Sequence, residues 1–109
     1  MSETYDKGLA DITRYDSKPD TDLVAVLAKN YSLVMSNKDA SGVACTDNAE
    51  LDTVRENFLK KKLGLTESDS ELNIAIQEIC KEMTADRKKS RLTFYYLLTK
   101  KFGKESIFV

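Results

Sequence analysis

Residues 90–102 restrict the fold of this chain more than any other segment. A helix formed by these residues would be apolar on more than one side, which is typical of a helix that neighbours cover from several directions. Gly103 follows at the position where many helices end in a left-handed residue. We therefore expect a central helix around which the other elements pack. Its large apolar and aromatic residues are Leu92, Phe94, Tyr95, Tyr96, Leu97, Leu98 and Phe102.

Four other segments have the apolar spacing of amphipathic helices. They comprise residues 5–15, 21–35, 47–63 and 68–83. The third and the fourth begin with a capping box, in which Asp47 or Ser68 is followed three residues later by a glutamate. Together with the central segment, these patterns predict an all-α fold. We expect a compact bundle of about five helices around a buried C-terminal helix.

The sequence also predicts features of the helix ends, of the first helix and of the C-terminal tail. Gly64 and Leu65 have the order of a Schellman motif, in which a glycine and then an apolar residue end a helix. Asp86 is placed to cap a helix that would begin at Arg87. Gly8 should weaken the first helix, since glycine is a poor helix former. The apolar tail, residues 105–109, is expected to fold back on the bundle.

Length and composition indicate a single helical domain spanning residues 1–109. The sequence has neither a secretion signal nor an apolar stretch of about 20 residues, which predicts a soluble, cytoplasmic protein that does not enter membranes. Cys45 and Cys80 are far apart and form no Cys-x-x-Cys motif. We therefore expect two reduced, buried cysteines and neither a disulfide nor a zinc site.

Charge is distributed unevenly along the chain, although the net charge is −1. Residues 1–52 contain ten acidic and five basic residues, a net charge of −5, whereas residues 53–109 contain eight acidic and twelve basic residues, a net charge of +4. Two interpretations are open. The two halves attract one another within one bundle, or the basic half presents a surface to an anionic partner.

The residue types on which common enzyme sites depend are scarce. The chain contains no histidine, which excludes Ser-His-Asp and Cys-His nucleophiles and the commonest general base at neutral pH. It has four glycines in all and no glycine-rich phosphate loop. We expect a protein that is not an enzyme, with no catalytic residue and no cofactor.

One polar segment, residues 37–48, has the length of an EF-hand calcium loop. With Gly42 at the sixth position, Asn37, Asp39 and Ser41 occupy the first, third and fifth positions. The twelfth position is Asn48, where calcium binding requires a bidentate glutamate. The sequence therefore predicts at most a degenerate EF-hand-like loop that binds no metal.

A basic cluster precedes and opens the central helix, near the positive end of the helix dipole, where cations are unfavourable unless something offsets their charge. It consists of Arg87, Lys88, Lys89 and Arg91. One interpretation is pairing with acidic side chains of the fold, and Arg91 is also placed to reach Tyr95. The other is an anion site for phosphate or a nucleic-acid backbone. Three lysines at the end of the third predicted helix could join that site: Lys60, Lys61 and Lys62.

Three segments carry a family resemblance: residues 43–47, 54–65 and 86–104. They resemble a family of short bacterial proteins known as domain of unknown function 2853. The resemblance implies a bacterial, cytosolic, mainly helical, stand-alone domain. It supplies no catalytic residue, ligand or partner.

Two functions follow as hypotheses. The leading one is a small non-enzymatic cytosolic interaction or adaptor domain that binds an unknown protein partner or self-associates. The alternative is weak binding of phosphate or a nucleic-acid backbone through the basic cluster, which added salt would weaken steeply.

Overall fold

A computed structural model describes residues 3–108 and contains six α-helices within that range. A π-helix (Val54–Lys62) continues the fourth α-helix, and a short 3-10 helix (Glu105–Ile107) follows the sixth. Two-residue strands, β1 (Gly42–Val43) and β2 (Lys89–Ser90), pair antiparallel with Gly42 opposite Ser90. The helices are α1 (Glu3–Thr13), α2 (Thr21–Asn30), α3 (Ser32–Ser36), α4 (Asn48–Thr53), α5 (Asp69–Glu82) and α6 (Arg91–Lys101).

The last of these, α6, lies at the centre of the bundle. All nine of its residues from Arg91 to Thr99 are buried, and α1, α2 and α5 pack against it. Ser90 begins the helix by accepting a hydrogen bond from the backbone N–H of Thr93, and Gly103 follows its end with a φ of 63°. The expected all-α bundle around a buried C-terminal helix is confirmed.

Gly8 has a packing role that its helix propensity alone does not reveal. A Cβ atom at this position would lie 2.3 Å from Cδ2 of Leu92, which is fully buried on α6. The glycine therefore allows α1 to approach α6 more closely than any other residue would.

The prediction of one helix over residues 21–35 is wrong, because the chain bends at Tyr31. This residue has φ −114° and ψ 18°, which separates α2 from α3. Its ring makes edge contacts with Phe58 and Tyr95, at centroid distances of 6.3 and 5.1 Å. The bend is accompanied by packing of this partly buried aromatic ring against the core, and it raises the number of α-helices from five to six.

The helix predicted over residues 47–63 begins where expected and then widens into a π-helix. Asp47 caps α4 by accepting hydrogen bonds from the N–H groups of Ala49 and Glu50. From Val54 onward the hydrogen bonds span five residues, as from Leu63 N–H to the Phe58 carbonyl (2.9 Å). Because a π-turn is wider, apolar side chains four and five residues apart face the core together. These are Val54, Phe58, Leu59 and Leu63.

The ends of the later helices match the sequence in part. Gly64 has a φ of 68°, which confirms a glycine ending of this helix. The Leu65 N–H bonds to the Leu59 carbonyl (3.1 Å), six residues earlier, whereas the corresponding bond of a Schellman motif spans five. Phe108 folds back to within 6.5 Å of Phe58, between ring centroids. The tail therefore returns to the bundle as expected, while Val109 lies outside the described residues.

Asp86 does not cap a helix, since α6 begins four residues after Arg87. Its carboxylate instead accepts two hydrogen bonds from Arg14 (2.8 and 3.1 Å) and one from the Tyr15 hydroxyl (2.5 Å). These bonds join the end of α1 to the loop between α5 and α6.

The expectation of two reduced cysteines is also wrong. Cys45 and Cys80 form a disulfide across 35 residues of sequence, with Cα atoms 6.0 Å apart. The bond joins the segment after β1 to the last turn of α5. The spacing of the two cysteines along the chain does not predict this disulfide, because the pairing depends on how the loop folds over α5.

Candidate functional site

Arg91, the last member of the predicted basic cluster, is directed into the protein and is only 8% exposed. Its guanidinium donates to the carbonyls of Ala40 (2.6 Å) and Gly42 (3.2 Å), to the Tyr95 hydroxyl (2.9 Å) and to the Glu50 carboxylate. The charge of Arg91 is thus balanced within the fold, and its side chain fastens the loop before α4 to α6. It does not belong to a surface that could meet an external anion.

The other three members of the cluster lie nearer the surface. The Lys88 ammonium donates to the Lys38 carbonyl (2.8 Å), and the Lys89 ammonium donates to the Asp86 carbonyl (2.7 Å). Arg87 is exposed, and its side chain makes no hydrogen bond or ion pair with another residue between 3 and 108. Anion binding by these three residues stays a prediction.

The lysines near the end of the π-helix are not brought together with Arg87. Lys60 pairs with Glu56 (2.8 Å) and with Asp69 (2.6 Å), the first residue of α5. Arg87 lies beyond the other end of that helix, which has 14 residues and is therefore about 21 Å long. Structure separates the two groups of cations that the sequence analysis combined.

The two remaining lysines of that group have different surroundings. The Lys62 ammonium lies 5.7 Å from the centroid of the Phe108 ring, a cation–π contact with the returning tail. Lys61 is exposed and has no hydrogen bond or ion pair within the described part of the chain. Among these three lysines, only Lys61 has a charge without a neighbouring acid or ring between residues 3 and 108.

Polar groups of the degenerate EF-hand-like loop form hydrogen bonds within the protein. The Asn37 side-chain oxygen accepts from the N–H groups of Asp39 (2.9 Å) and Ala40 (3.2 Å), and the Ser41 hydroxyl donates to the Lys38 carbonyl (3.3 Å). The side-chain oxygens at the first and fifth positions, which would bind calcium in an EF-hand, therefore stabilise a turn. Between residues 3 and 108, no group of three or more His, Cys, Asp or Glu side chains is placed to hold a metal ion.

Carboxylates from the acidic half of the chain bind polar groups of α6. Asp11 accepts a hydrogen bond from the Thr93 hydroxyl, and Asp16 accepts one from the Tyr96 hydroxyl (2.6 Å). The bond from Tyr96 lowers the pKa of Asp16, while burial, followed by the bond to Asp16, raises the pKa of Tyr96. In the described residues every buried side-chain nitrogen or oxygen has a hydrogen-bond partner, so these groups hold the fold together.

The outer side of α5 is a surface available for recognition. Ile74 is 60% exposed there, beside a shallow apolar depression of about 330 Å³. A second groove of about 360 Å³ runs between α4 and α5, and both concavities are lined by Asn73 and Gln77. We call the exposed residues on this side of the helix the α5 outer stripe: Ser70, Glu71, Ile74, Gln77, Glu78 and Lys81.

The charges of the α5 outer stripe are only partly neutralised. Glu78 pairs with Lys101 at 2.7 Å. The Glu71 carboxylate and the Lys81 ammonium make no ion pair or side-chain hydrogen bond with another described residue. Two charges of opposite sign, neither paired within the described residues, therefore lie on either side of an exposed isoleucine.

Comparison with known families agrees with the resemblance carried by residues 43–47, 54–65 and 86–104. The family model described as "Protein of unknown function (DUF2853)" matches residues 7–106. The chain belongs to this family. No curated protein matches it. Within the described residues, no helix of this DUF2853 member is long and apolar enough to cross a membrane.

Sequence reasoning missed the α5 outer stripe because it followed the buried side of the helix. Leu72, Ile76, Ile79 and Met83 mark that side and are all buried. Ile74 lies between the first two and is out of phase with them, since residues two apart fall on different sides of a helix. An isoleucine out of phase with the core pattern was the available signal.

Proposed function

We propose that this chain is a small non-enzymatic interaction module of the bacterial cytoplasm that self-associates through the α5 outer stripe. The observation that carries the proposal is the exposure of Ile74 between two charges of opposite sign, Glu71 and Lys81, which have no partner among residues 3–108. A surface of this kind is complementary to a second copy of itself.

The charge order favours an antiparallel pair of α5 helices. If a two-fold axis passes beside α5 midway between Glu71 and Lys81, residues at equal distances before and after that point face one another. Glu71 then lies opposite Lys81 of the second copy, so that opposite charges meet at both ends of the contact. The two Ile74 side chains lie at its centre, about one helical turn apart. A parallel pair would instead place like charges side by side.

The size of the stripe predicts weak association. One helix about 21 Å long offers much less area than the roughly 1,200–2,000 Å² that stable interfaces bury. The pair should therefore form at high protein concentration and separate on dilution. An adaptor that assembles reversibly has this behaviour.

Sedimentation equilibrium over a wide concentration range tests the proposal. We expect the average molar mass of the wild type to rise with concentration, and Ile74→Glu to remain a monomer because it places a charge at the centre of the contact. Leu33→Glu is the matched control, since Leu33 is 85% exposed on α3 and lies outside the stripe. A strictly monomeric wild type, or equal effects of the two substitutions, would reject self-association through α5.

A charge exchange sharpens the same experiment. Lys81→Glu should weaken association because it leaves only acids at the two ends of the stripe. The double variant Glu71→Lys with Lys81→Glu should restore association, since it reverses both charges and keeps their complementarity. Failure of the double variant to recover would show that Ile74 acts without this charge pair.

Phosphate or nucleic-acid binding through Arg87, Lys88 and Lys89 is the second candidate, supported by the exposed Arg87 side chain without a described partner. Its test is a titration with polyphosphate and RNA at low and moderate salt. Backbone-type binding would weaken steeply with salt and would be reduced in Arg87→Ala. Binding that neither salt nor this substitution changes would rule it out.

A further inference from the structure

The disulfide between Cys45 and Cys80 lies at one end of the groove between α4 and α5. Cys45 precedes Asn48, the first residue of α4, and Cys80 follows Gln77 on α5, and both of these neighbours line the groove. At the other end, Arg55 donates to the Asn73 side chain (3.0 Å) and lies 3.8 Å from Asp69. The groove is thus held by a polar contact at one end and a covalent bond at the other.

The loop that contains Cys45 has further attachments that do not depend on the disulfide. Arg91 donates to the carbonyls of Ala40 and Gly42, and β1 pairs with β2. These contacts precede Cys45 and hold the loop against α6, and beyond the cysteine Arg91 also binds Glu50 on α4. Opening the disulfide would therefore loosen residues 44–49, which lie between these attachments, while leaving the bundle assembled.

We propose that Cys45 and Cys80 form a reversible thiol–disulfide site that sets the separation between the start of α4 and the last turn of α5. Its co-reactant is a small or protein dithiol, the class of reductant found in the cytoplasm, where disulfides are commonly transient or redox-sensing. The site is independent of the proposed self-association, because neither cysteine lies on the α5 outer stripe.

The exchange proceeds in two steps that balance. A thiolate of the dithiol attacks the sulfur of Cys45, which is partly exposed while Cys80 is only 7% exposed; the bond between the cysteines breaks, and Cys80 leaves as a thiolate that takes up a proton. The second thiol of the reagent then loses its proton and displaces Cys45, which is protonated in turn. Two electrons pass to the protein, and the reagent becomes a disulfide.

The full chain equilibrated in mixtures of reduced and oxidised dithiothreitol tests the site. Thiol labelling with mass spectrometry counts free cysteines, and hydrogen exchange reports local order. We expect reversible oxidation and, in the reduced protein, a loss of protection confined to residues 44–53. Protection across residues 91–99 should not change.

The double variant Cys45→Ser with Cys80→Ser is the matched control. In both mixtures its amide hydrogen exchange should match that of the reduced wild type. The proposal is overturned if the folded chain keeps two free thiols in the oxidising mixture. It is equally overturned if reduction unfolds the whole bundle, or if residues 44–53 exchange alike in both states.

Discussion

Helices α5 and α6 are neighbours of similar length, yet the protein uses them differently. α6 is buried along nine consecutive residues because α1, α2 and α5 cover it from several directions. α5 buries only the side that carries Leu72, Ile76 and Ile79, and its opposite side exposes Ile74. Substitutions on α6, which is covered on all sides, should therefore affect the stability of the fold. α5 is covered on one side only, and its outer side can be substituted without loss of the fold.

The polar side chains of α5 and α6 also differ in how far they are bonded within the protein. On α6, the side chains of Arg91, Thr93 and Tyr96 are all hydrogen-bonded within the protein. On α5, Glu71 and Lys81 lack a partner among the described residues. Substitutions on the two helices should therefore differ in which property they alter: the free energy of unfolding for α6, and association for the outer side of α5.

The largest effect is expected from Arg91→Ala on α6. This substitution leaves Glu50 and two loop carbonyls without their donor, and breaking such a buried pair costs about 3–5 kcal/mol of unfolding free energy. Denaturant unfolding measures the loss. Arg87→Ala, four residues earlier and exposed, is the control and should change stability by less than about 0.5 kcal/mol. Equal losses would mean that the internal contacts of Arg91 contribute nothing.

A smaller loss is expected from Gly8→Ala, which tests how closely α1 approaches α6. Helix propensity alone would make this change stabilising by about 1 kcal/mol. The new Cβ would instead meet Cδ2 of Leu92 at 2.3 Å, and overpacking of this kind costs about 1–3 kcal/mol. Thermal unfolding shows whether the variant is less or more stable than the wild type. A more stable variant would contradict the close approach of α1 to α6.

The contact with Leu92 can be isolated by a double-mutant cycle. Combining Gly8→Ala with Leu92→Ala removes the methyl groups that the new Cβ would strike. The two losses should then sum to more than the loss measured for the double variant.

Asp86→Asn weakens the attachment of α1 to the loop between α5 and α6, with an expected loss of about 1 kcal/mol at pH 7. The hydrogen bonds from Arg14, and then from Tyr15, lower the pKa of Asp86. A carboxylate with a lowered folded pKa stabilises the protein above its unfolded pKa of about 4, and this contribution disappears as the pH falls through the folded value. The difference between wild type and variant should therefore be constant from about pH 5 to 7 and shrink below about pH 4. A difference independent of pH would contradict an ionised Asp86.

The smallest effect on stability is expected from Ile74→Ala, which should change the unfolding free energy by less than about 0.5 kcal/mol. Its matched partner is Ile76→Ala, two residues away and 1% exposed, which should cost about 2–5 kcal/mol. Denaturant unfolding of the two variants compares the two sides of α5 directly. Similar losses would mean that the outer side also supports the fold.

Local signals in the sequence predicted a large part of the fold. The density of apolar residues identified α6, the cap at Asp47 identified the start of α4, and Gly64 and Gly103 identified two helix ends. Each of these features depends on residues that are close in the chain. The bend at Tyr31 depends instead on rings from two distant segments, and no pattern within residues 21–35 predicts it.

Long-range pairing also explains why the candidate sites were harder to predict. Arg87 and Arg91 belong to one basic run in the sequence, yet one is exposed and the other is buried against Glu50. A run of charges does not show which members turn inward. The disulfide between Cys45 and Cys80 likewise follows from the folding of a loop over α5, which the sequence spacing does not disclose.

Native-state hydrogen exchange, resolved for each amide, tests most directly whether α6 is the enclosed helix that holds the bundle together. Amides of α6 from residue 95 onward, which are hydrogen-bonded within the helix, should be the slowest in the protein and should exchange only when the whole chain unfolds. Amides at the ends of α5 and in α3 should exchange through smaller openings. Exchange of the α6 amides at a free energy well below that of global unfolding, while other helices remain protected, would contradict a central role for this helix.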